Sequence, residues 1–229
     1  EALSKASASD PVATNFLYKG QNATNWIKFA NALKLKIMSR EVGAVSSVDS
    51  QIGALIAQNN FPTEDVAYTD CWGNETGQMN PYYSEEFATS FGSTQINVTA
   101  NMAIIGTMLQ TDAEGVVVYE DPRLPAFFEK NNSGNYVGGI SGTNFSTSGS
   151  YKAAYWCRPV MAYNSPVYYI QVAETEFFIA EYYARQNNAA KAEEHYNAAI
   201  EASCASAGVS GAEKVIAQVP YNQANYKQC

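Results

Sequence analysis

The sequence predicts a mainly α-helical protein in which tetratricopeptide-like helix pairs form an α-α superhelical wall, with a large irregular loop-rich insertion between them. Three observations carry that expectation. Val172 to Ser203 places small and aromatic residues at the spacing of an antiparallel helix pair. Trp26, Phe29, Ala30 and Leu33 repeat the first-helix spacing far upstream, with Ile37 continuing the stripe. Between the two, from 63 to 165, the hydrophobic period gives way to Gly, Asn, Ser, Pro and aromatic residues.

In the downstream pair Ile179 and Ala180 fill the Leu-Gly slots of the repeat, Tyr183 the tyrosine slot, and Ala192, Tyr196 and Ala199 the second-helix positions. Glu176 stands where the repeat has tryptophan. Small residues let two helices approach closely while one aromatic from each fills the groove between them. By this reading Trp26, Phe29, Tyr183 and Tyr196 belong to the core and not to a ligand site.

The first helix is expected to start at Thr24 or Asn25, either of which can cap orphan amides, and to run to about Arg40, whose charge suits a helix C-terminus. A shorter helix follows over Asp49 to Gln58, with Ile52, Leu55 and Ile56 on one face, and stops at the breaker Asn59 to Pro62. Thr63 to Phe91 reads as loop, ending in Asn80-Pro81-Tyr82-Tyr83. Thr99 to Gln110 reads as helix. The two prolines of Asp121-Pro122-Arg123-Leu124-Pro125 exclude a continuous helix and favour a turn closed by an Asp121 to Arg123 bond. Gly134 to Ser150 is rich in Gly, Ser, Thr and Asn, and rings punctuate it and its exit. Beyond Pro166 come the paired helices, with Asn188 as cap of the second and Gly208 as its stop. The expected organisation is one domain over 1–229, helical over 24–58 and 166–208 and ligand-facing over 63–165.

Composition narrows the function. A chain of 229 residues, 46% hydrophobic, can bury a substantial core. A formal net charge of -8, without Lys and Arg clusters, disfavours a phosphate grip, so nucleic acid is not an expected partner. Apolar runs such as Met102 to Leu109 fall far short of the ~20 residues of a membrane span. Cys71, Cys157, Cys204 and Cys229 lie far apart with no C-x-x-C, which indicates neither a zinc site nor a disulfide framework. N-x-S/T sequons at Asn22, Asn74, Asn97, Asn131 and Asn144 are what an Asn- and Thr-rich chain produces by chance. The expectation is no metal and no cofactor.

Four pieces in order resemble one family. They are Trp26-Ile27-Lys28-Phe29-Ala30-Asn31-Ala32-Leu33-Lys34-Leu35-Lys36, similar to W-x-K-F-A-N-S-L-K-L-R, then Asn80-Pro81-Tyr82, then Asp121-Pro122-Arg123-Leu124-Pro125 with Tyr136-Val137-Gly138, and Ala173-Glu174-Thr175-Glu176-Phe177-Phe178-Ile179-Ala180-Glu181. Together they resemble the SusD/RagB outer-membrane lipoproteins, the SusD-like subgroup above all. That resemblance implies four tetratricopeptide-like units, an N-terminal lipid anchoring the full-length protein at the surface of a Gram-negative outer membrane, and a SusC-like TonB-dependent transporter to which bound glycan, or in some members peptide, is delivered. Members of the family are typically about twice as long as this chain. The chain is therefore expected to be an internal or truncated segment, lacking the anchor and part of its own helical wall.

Catalysis is not expected. A glycoside hydrolase needs two carboxylates about 5 to 10 Å apart across a sugar site. Glu174 and Glu181 share a helix face, but Glu181 with Arg185 reads more simply as an i,i+4 surface pair. His195 is the sole histidine, expected in solvent, and one histidine builds neither a Ser-His-Asp triad nor a multi-histidine zinc site. Gly138-Gly139 lacks the context of a phosphate loop.

Binding is the remaining reading. A sugar presents an apolar C–H face that an aromatic ring covers and hydroxyls that Asn, Asp or Arg satisfy. Trp72, Tyr82, Tyr83, Tyr151, Tyr155 and Trp156 are the candidate ligand-binding rings, with Asn74, Asn80 and Arg158 nearby in sequence. Peptide capture by the helical wall is the alternative, and hydrolysis a distant third.

Overall fold

The structure is a computed structural model and describes residues 7, 17–18, 23–88, 98–142 and 155–226. In chain order its elements are α1 (Thr24–Arg40), α2 (Val48–Ala57), β1 (Val66–Tyr68), α3 (Pro81–Glu86), α4 (Met102–Met108), β2 (Leu109–Thr111), β3 (Val117–Glu120), α5 (Leu124–Phe127), β4 (Phe128–Glu129), β5 (Arg158–Pro159), β6 (Val167–Ile170), α6 (Val172–Arg185), α7 (Ala189–Ser206), α8 (Ala212–Gln218) and a 3-10 turn at Gln223–Asn225. The protein is mainly helical, and the chain divides into two compact units. One comprises Glu1–Asp70, Pro166–Ser206 and Val219–Cys229, the other Cys71–Ser165 and Ala207–Gln218.

The first unit holds the helical wall. α1 buries Ala32, Leu35 and Met38 at threefold spacing, and α2 buries Val48, Ile52, Leu55 and Ile56. Leu35, Met38, the four α2 residues and Ile179 of α6 form one core, edged by Phe61, Phe178, Tyr182 and Tyr183. α2 ends where Asn59 adopts φ 46°, a left-handed conformation that asparagine tolerates better than most residues. The expected side-chain cap of α1 is absent: the N-cap position is Ala23, with no side-chain cap bond.

α6 packs on α7, and the two helices bury Thr175, Ile179, Ala180 and Ala184 and Ala192, Tyr196, Ala199, Ile200 and Cys204. This is the small-residue interface the repeat spacing predicts. Asn188 Oδ1 accepts the Lys191 amide at 3.3 Å, the expected cap, and Gly208 sits at φ 69°. Of the four rings assigned to the core, Tyr196 is buried and donates to the Val219 carbonyl at 2.8 Å, while Trp26, Phe29 and Tyr183 are only half-buried. His195 corrects the expectation of a solvent-exposed ring. It stacks on Tyr183 at 14° and 5.5 Å, and its Nδ1 lies 2.6 Å from Glu176 Oε2. The residue in the tryptophan slot of the repeat is thus the partner of the sole histidine.

Asp65 performs a role that its loop position conceals. α6 has no cap from its own N-cap residue, Gln171. Asp65 Oδ1 accepts the Val172 amide at 2.8 Å, and its Oδ2 accepts the Ser206 hydroxyl at 2.5 Å and Gln171 Nε2 at 3.4 Å. One carboxylate therefore satisfies the N-terminus of α6 and fixes it to the end of α7. Next to it β1 pairs antiparallel with β6, Val66 opposite Ile170, and both residues join Ala32 in a second core.

In the second unit α4 runs into the hairpin β2–β3, with Leu109 opposite Glu120 and Thr111 opposite Val117. The helix expected over Thr99 to Gln110 is therefore shorter, because Leu109 already has extended dihedrals and pairs in a strand. The region 63–91 is likewise not all loop, since it contains β1 and α3. Ala100, Ile105, Met108, Leu124 and Cys157 form this unit's core. The Asp121-Arg123 turn is present: Asp121 accepts from Arg123 N and Nε, each at 2.9 Å, and from Nη2 at 2.6 Å. Burial of Asp121 opposes ionisation, but the hydrogen bonds and charge of Arg123 outweigh it and hold the carboxyl below the usual range. Gly138-Gly139 serves a close backbone approach. Gly139 N donates to Ala100 O at 2.7 Å and Met102 N to Gly139 O at 2.8 Å, and a Cβ at Gly138 would lie 2.4 Å from Met102 N and Cα.

Candidate functional site

The aromatic loop residues are organised by α3. Asn80 is its N-cap and Pro81 its first helical residue, where a missing amide costs nothing. Asn80 Oδ1 accepts the amides of Tyr82 at 2.9 Å and Tyr83 at 3.4 Å, while Asn80 Nδ2 donates to Ser165 O at 3.3 Å and Asn80 N to Tyr163 O at 2.7 Å. With 7% of its surface exposed, Asn80 is occupied in holding α3. Both ends of its amide therefore serve the fold and not a ligand's hydroxyls.

Tyr82 and Tyr83 converge with Phe87, one turn further along. Tyr83 stacks on Phe87 with 8° between planes and centroids 6.4 Å apart, and Tyr82 approaches it at 5.8 Å and 59°. The Arg158 guanidinium lies over the Phe87 ring, 4.6 Å from its centroid, and its Nη2 donates to Glu86 O at 2.7 Å. The result is two phenols and a cation around one central ring. Tyr82 is 47% exposed. Phe87 escaped the sequence reading, although its i+4 spacing from Tyr83 was a usable signal.

The other expected residues have separate surroundings. Tyr155 is exposed, and its carbonyl is held by Asn131 Nδ2 at 2.6 Å. Asn131 also organises its own turn, accepting the amides of Ser133 at 3.0 Å and Asn135 at 2.9 Å, so this sequon asparagine is engaged at both ends of its amide. Trp156 is buried, and its ring lies against Gly139. Trp72 is half-buried with an indole N–H that is enclosed and makes no hydrogen bond. Tyr151 lies outside the described residues.

A different kind of place exists in the first unit, a cleft of ≈ 350 Å³ whose lining includes Tyr18, Asn25, Lys28 and Glu64. None of the five expected rings among the described residues lines it. Burial there pushes the Tyr18 phenol up to about 12. The carboxylates weighed for hydrolysis are both in ion pairs, Glu174 with Lys36 at 2.7 Å and Glu181 with Arg185 at 2.6 Å. Arg185 also reaches Asp49 at 3.0 Å, tying α6 to α2. Among the described residues no group of three or more His, Cys, Asp or Glu could hold a metal, and no helix is long and apolar enough to cross a membrane.

The described residues thus form a mainly helical fold that carries an asparagine-capped aromatic turn. The chain belongs to a SusD-like family described as starch-binding, associating with the outer membrane, whose profile matches residues 1–228. Solved structures agree on the fold. The chain is similar to a SusD homologue from Bacteroides uniformis at 19% identity and TM-score 0.71, covering 92% of this chain and 42% of that one. It is similar to a SusD homologue from Bacteroides ovatus at 20% identity and TM-score 0.68, covering 94% and 43%. A chitin-binding protein matches at 16% identity and TM-score 0.61, covering 95% and 46%. The chain thus spans less than half the length of each. No curated protein matches it.

Proposed function

We propose that this chain is part of a non-catalytic glycan-binding protein of the outer membrane, lipid-anchored at the cell surface, that holds glycan for a SusC-like TonB-dependent transporter. The observation that carries the binding reading is the exposed Tyr82 ring, braced by the Tyr83–Phe87 stack and flanked by Arg158. A preorganised ring covers the apolar face of a sugar without the entropic cost of ordering a loop. Membership of a family described as starch-binding and the fold shared with a chitin-binding protein support the same ligand class. Trp72, Tyr151, Tyr155 and Trp156, the other rings named from the sequence, belong to the proposal as separate candidate contacts.

Each ring adds only ~1 kcal/mol beyond area burial, and sugar hydroxyls must shed water, so the affinity expected is millimolar to micromolar, about -4 to -8 kcal/mol. Affinity electrophoresis against a panel of soluble polysaccharides and peptides tests the reading, with Tyr82→Ala and Trp72→Ala beside the wild type. Retardation by a glycan that Tyr82→Ala abolishes is the expected result. Retardation by peptides alone would shift the site to the polar cleft of the first unit and overturn the glycan reading.

A further inference from the structure

We infer that the Tyr82–Phe87–Arg158 cluster selects a glycan that is neutral along its length but carries an isolated carboxylate sugar, a hexuronate, with Arg158 as the group that recognises the acid. The inference rests on the glycan-binding reading above and names its ligand more closely. Among the described residues the Arg158 side chain makes one hydrogen bond, from Nη2 to the Glu86 backbone carbonyl, and its guanidinium lies on the face of Phe87. Its Nε is buried without a partner, and no ion pair engages it among the described residues. By contrast Arg123 and Arg185 are each bonded to carboxylates at 3.0 Å or closer. In a chain of net charge -8, a cation left without an acid beside an exposed ring is an unusual vacancy.

With Nε enclosed and one Nη2 hydrogen on Glu86 O, the remaining Nη hydrogens are the donors for a carboxylate, and stacking on Phe87 fixes their plane before the ligand arrives. Tyr82 and Tyr83 on the same central ring offer the sugar's apolar face a surface within reach of the cation. The surroundings also set an upper limit on ligand charge. Glu85 and Glu86 occupy the last turn of α3, and Glu86 Oε2 is itself buried without a partner. A polyuronate would bring successive carboxylates against these acids, since the screening length at physiological salt, about 8 Å, is longer than one sugar residue. One acid in a neutral chain meets the cation and avoids the repulsion.

The test uses a neutral oligosaccharide bearing a single glucuronic acid and the same compound with that carboxyl reduced to the alcohol. These are titrated into the purified protein and into Arg158→Gln and Arg158→Lys, with circular dichroism as the check on folding. The acid form is expected to bind about tenfold more tightly than the alcohol to the wild type. Arg158→Gln is expected to bring the acid-to-alcohol ratio to about one, whatever the change in overall affinity, and Arg158→Lys to keep part of it. Equal affinity for acid and alcohol would overturn this inference and leave glycan binding standing. Preference for a peptide with a free C-terminus over its amide, with no binding of either sugar, would overturn both. If Arg158→Gln does not fold, the acid-to-alcohol ratio in the wild type, and its decline as salt is raised from 50 to about 500 mM, decides the matter.

Discussion

Replacing Asn80 by alanine should loosen the turn that presents the tyrosines, and the size of the effect follows from its bonds. The side chain caps α3 through Oδ1 and ties it to Ser165 O through Nδ2. Loss of an N-cap costs about 1 kcal/mol. Loss of the second bond leaves a carbonyl short of its donor and costs about 1 kcal/mol more. A six-residue helix has no stability of its own to absorb this, because isolated helices of that length do not form. The sum, about 2 kcal/mol, corresponds to a fall in Tm of about 4 to 8 °C for a chain of this size. Asn80→Asp keeps the acceptor and loses only the donor, so it should lie near half that loss. Thermal unfolding by circular dichroism, with glycan titration of the same variants, reads both consequences. An Asn80→Ala protein within about 0.5 kcal/mol of wild type would refute the reasoning, since the cap would then contribute nothing.

Gly138→Ala should destabilise by about 2 kcal/mol, because its Cβ meets the Met102 backbone at the start of α4, and urea unfolding midpoints measure it. Asp65→Ala should cost about 3 kcal/mol by freeing the α6 N-terminus and the Ser206 hydroxyl, and hydrogen exchange should show its largest gain in the first turn of α6. Asp121 has a folded-state pKa below the unfolded value, so its contribution is present above about pH 4 and is lost as pH falls through the folded value. Asp121→Asn should therefore be less stable than wild type at pH 7, by about 3 kcal/mol for a broken buried pair, and the difference should shrink as pH falls below about 4, a comparison that urea unfolding at neutral and acid pH makes directly.

The helical wall was legible because its signal is local. The spacing of Ile179, Ala180, Tyr183, Ala192, Tyr196 and Ala199 states which helix faces meet, and Asn188 and Gly208 mark the ends by conformational preference alone. The Asp121-Arg123 bond was equally readable, since two residues separate donor from acceptor. What escaped depends on partners distant in sequence. Asp65 caps a helix 107 residues away, β1 pairs with β6 across about the same interval, and Arg158 finds Phe87 from a strand that no periodicity reveals. His195 and Glu176 sit on different helices, so the composition of either helix alone could not join them. At the candidate site the sequence offered the ring-bearing segments but could not rank their exposure, which is how buried Trp156 and exposed Tyr82 entered the same set. Ring exposure depends on what lies above each ring, and a Trp followed by cysteine and arginine carries no local mark of it.

The most direct measurement is isothermal titration of the best-retained glycan into wild type, Tyr82→Ala and, as an exposed ring of the other compact unit, Tyr169→Ala. Tyr82→Ala should weaken binding at least about fivefold, the equivalent of ~1 kcal/mol, with the Tyr169 variant unchanged. Equal affinities for all three proteins would contradict the platform and remove the α3 cluster from the binding site.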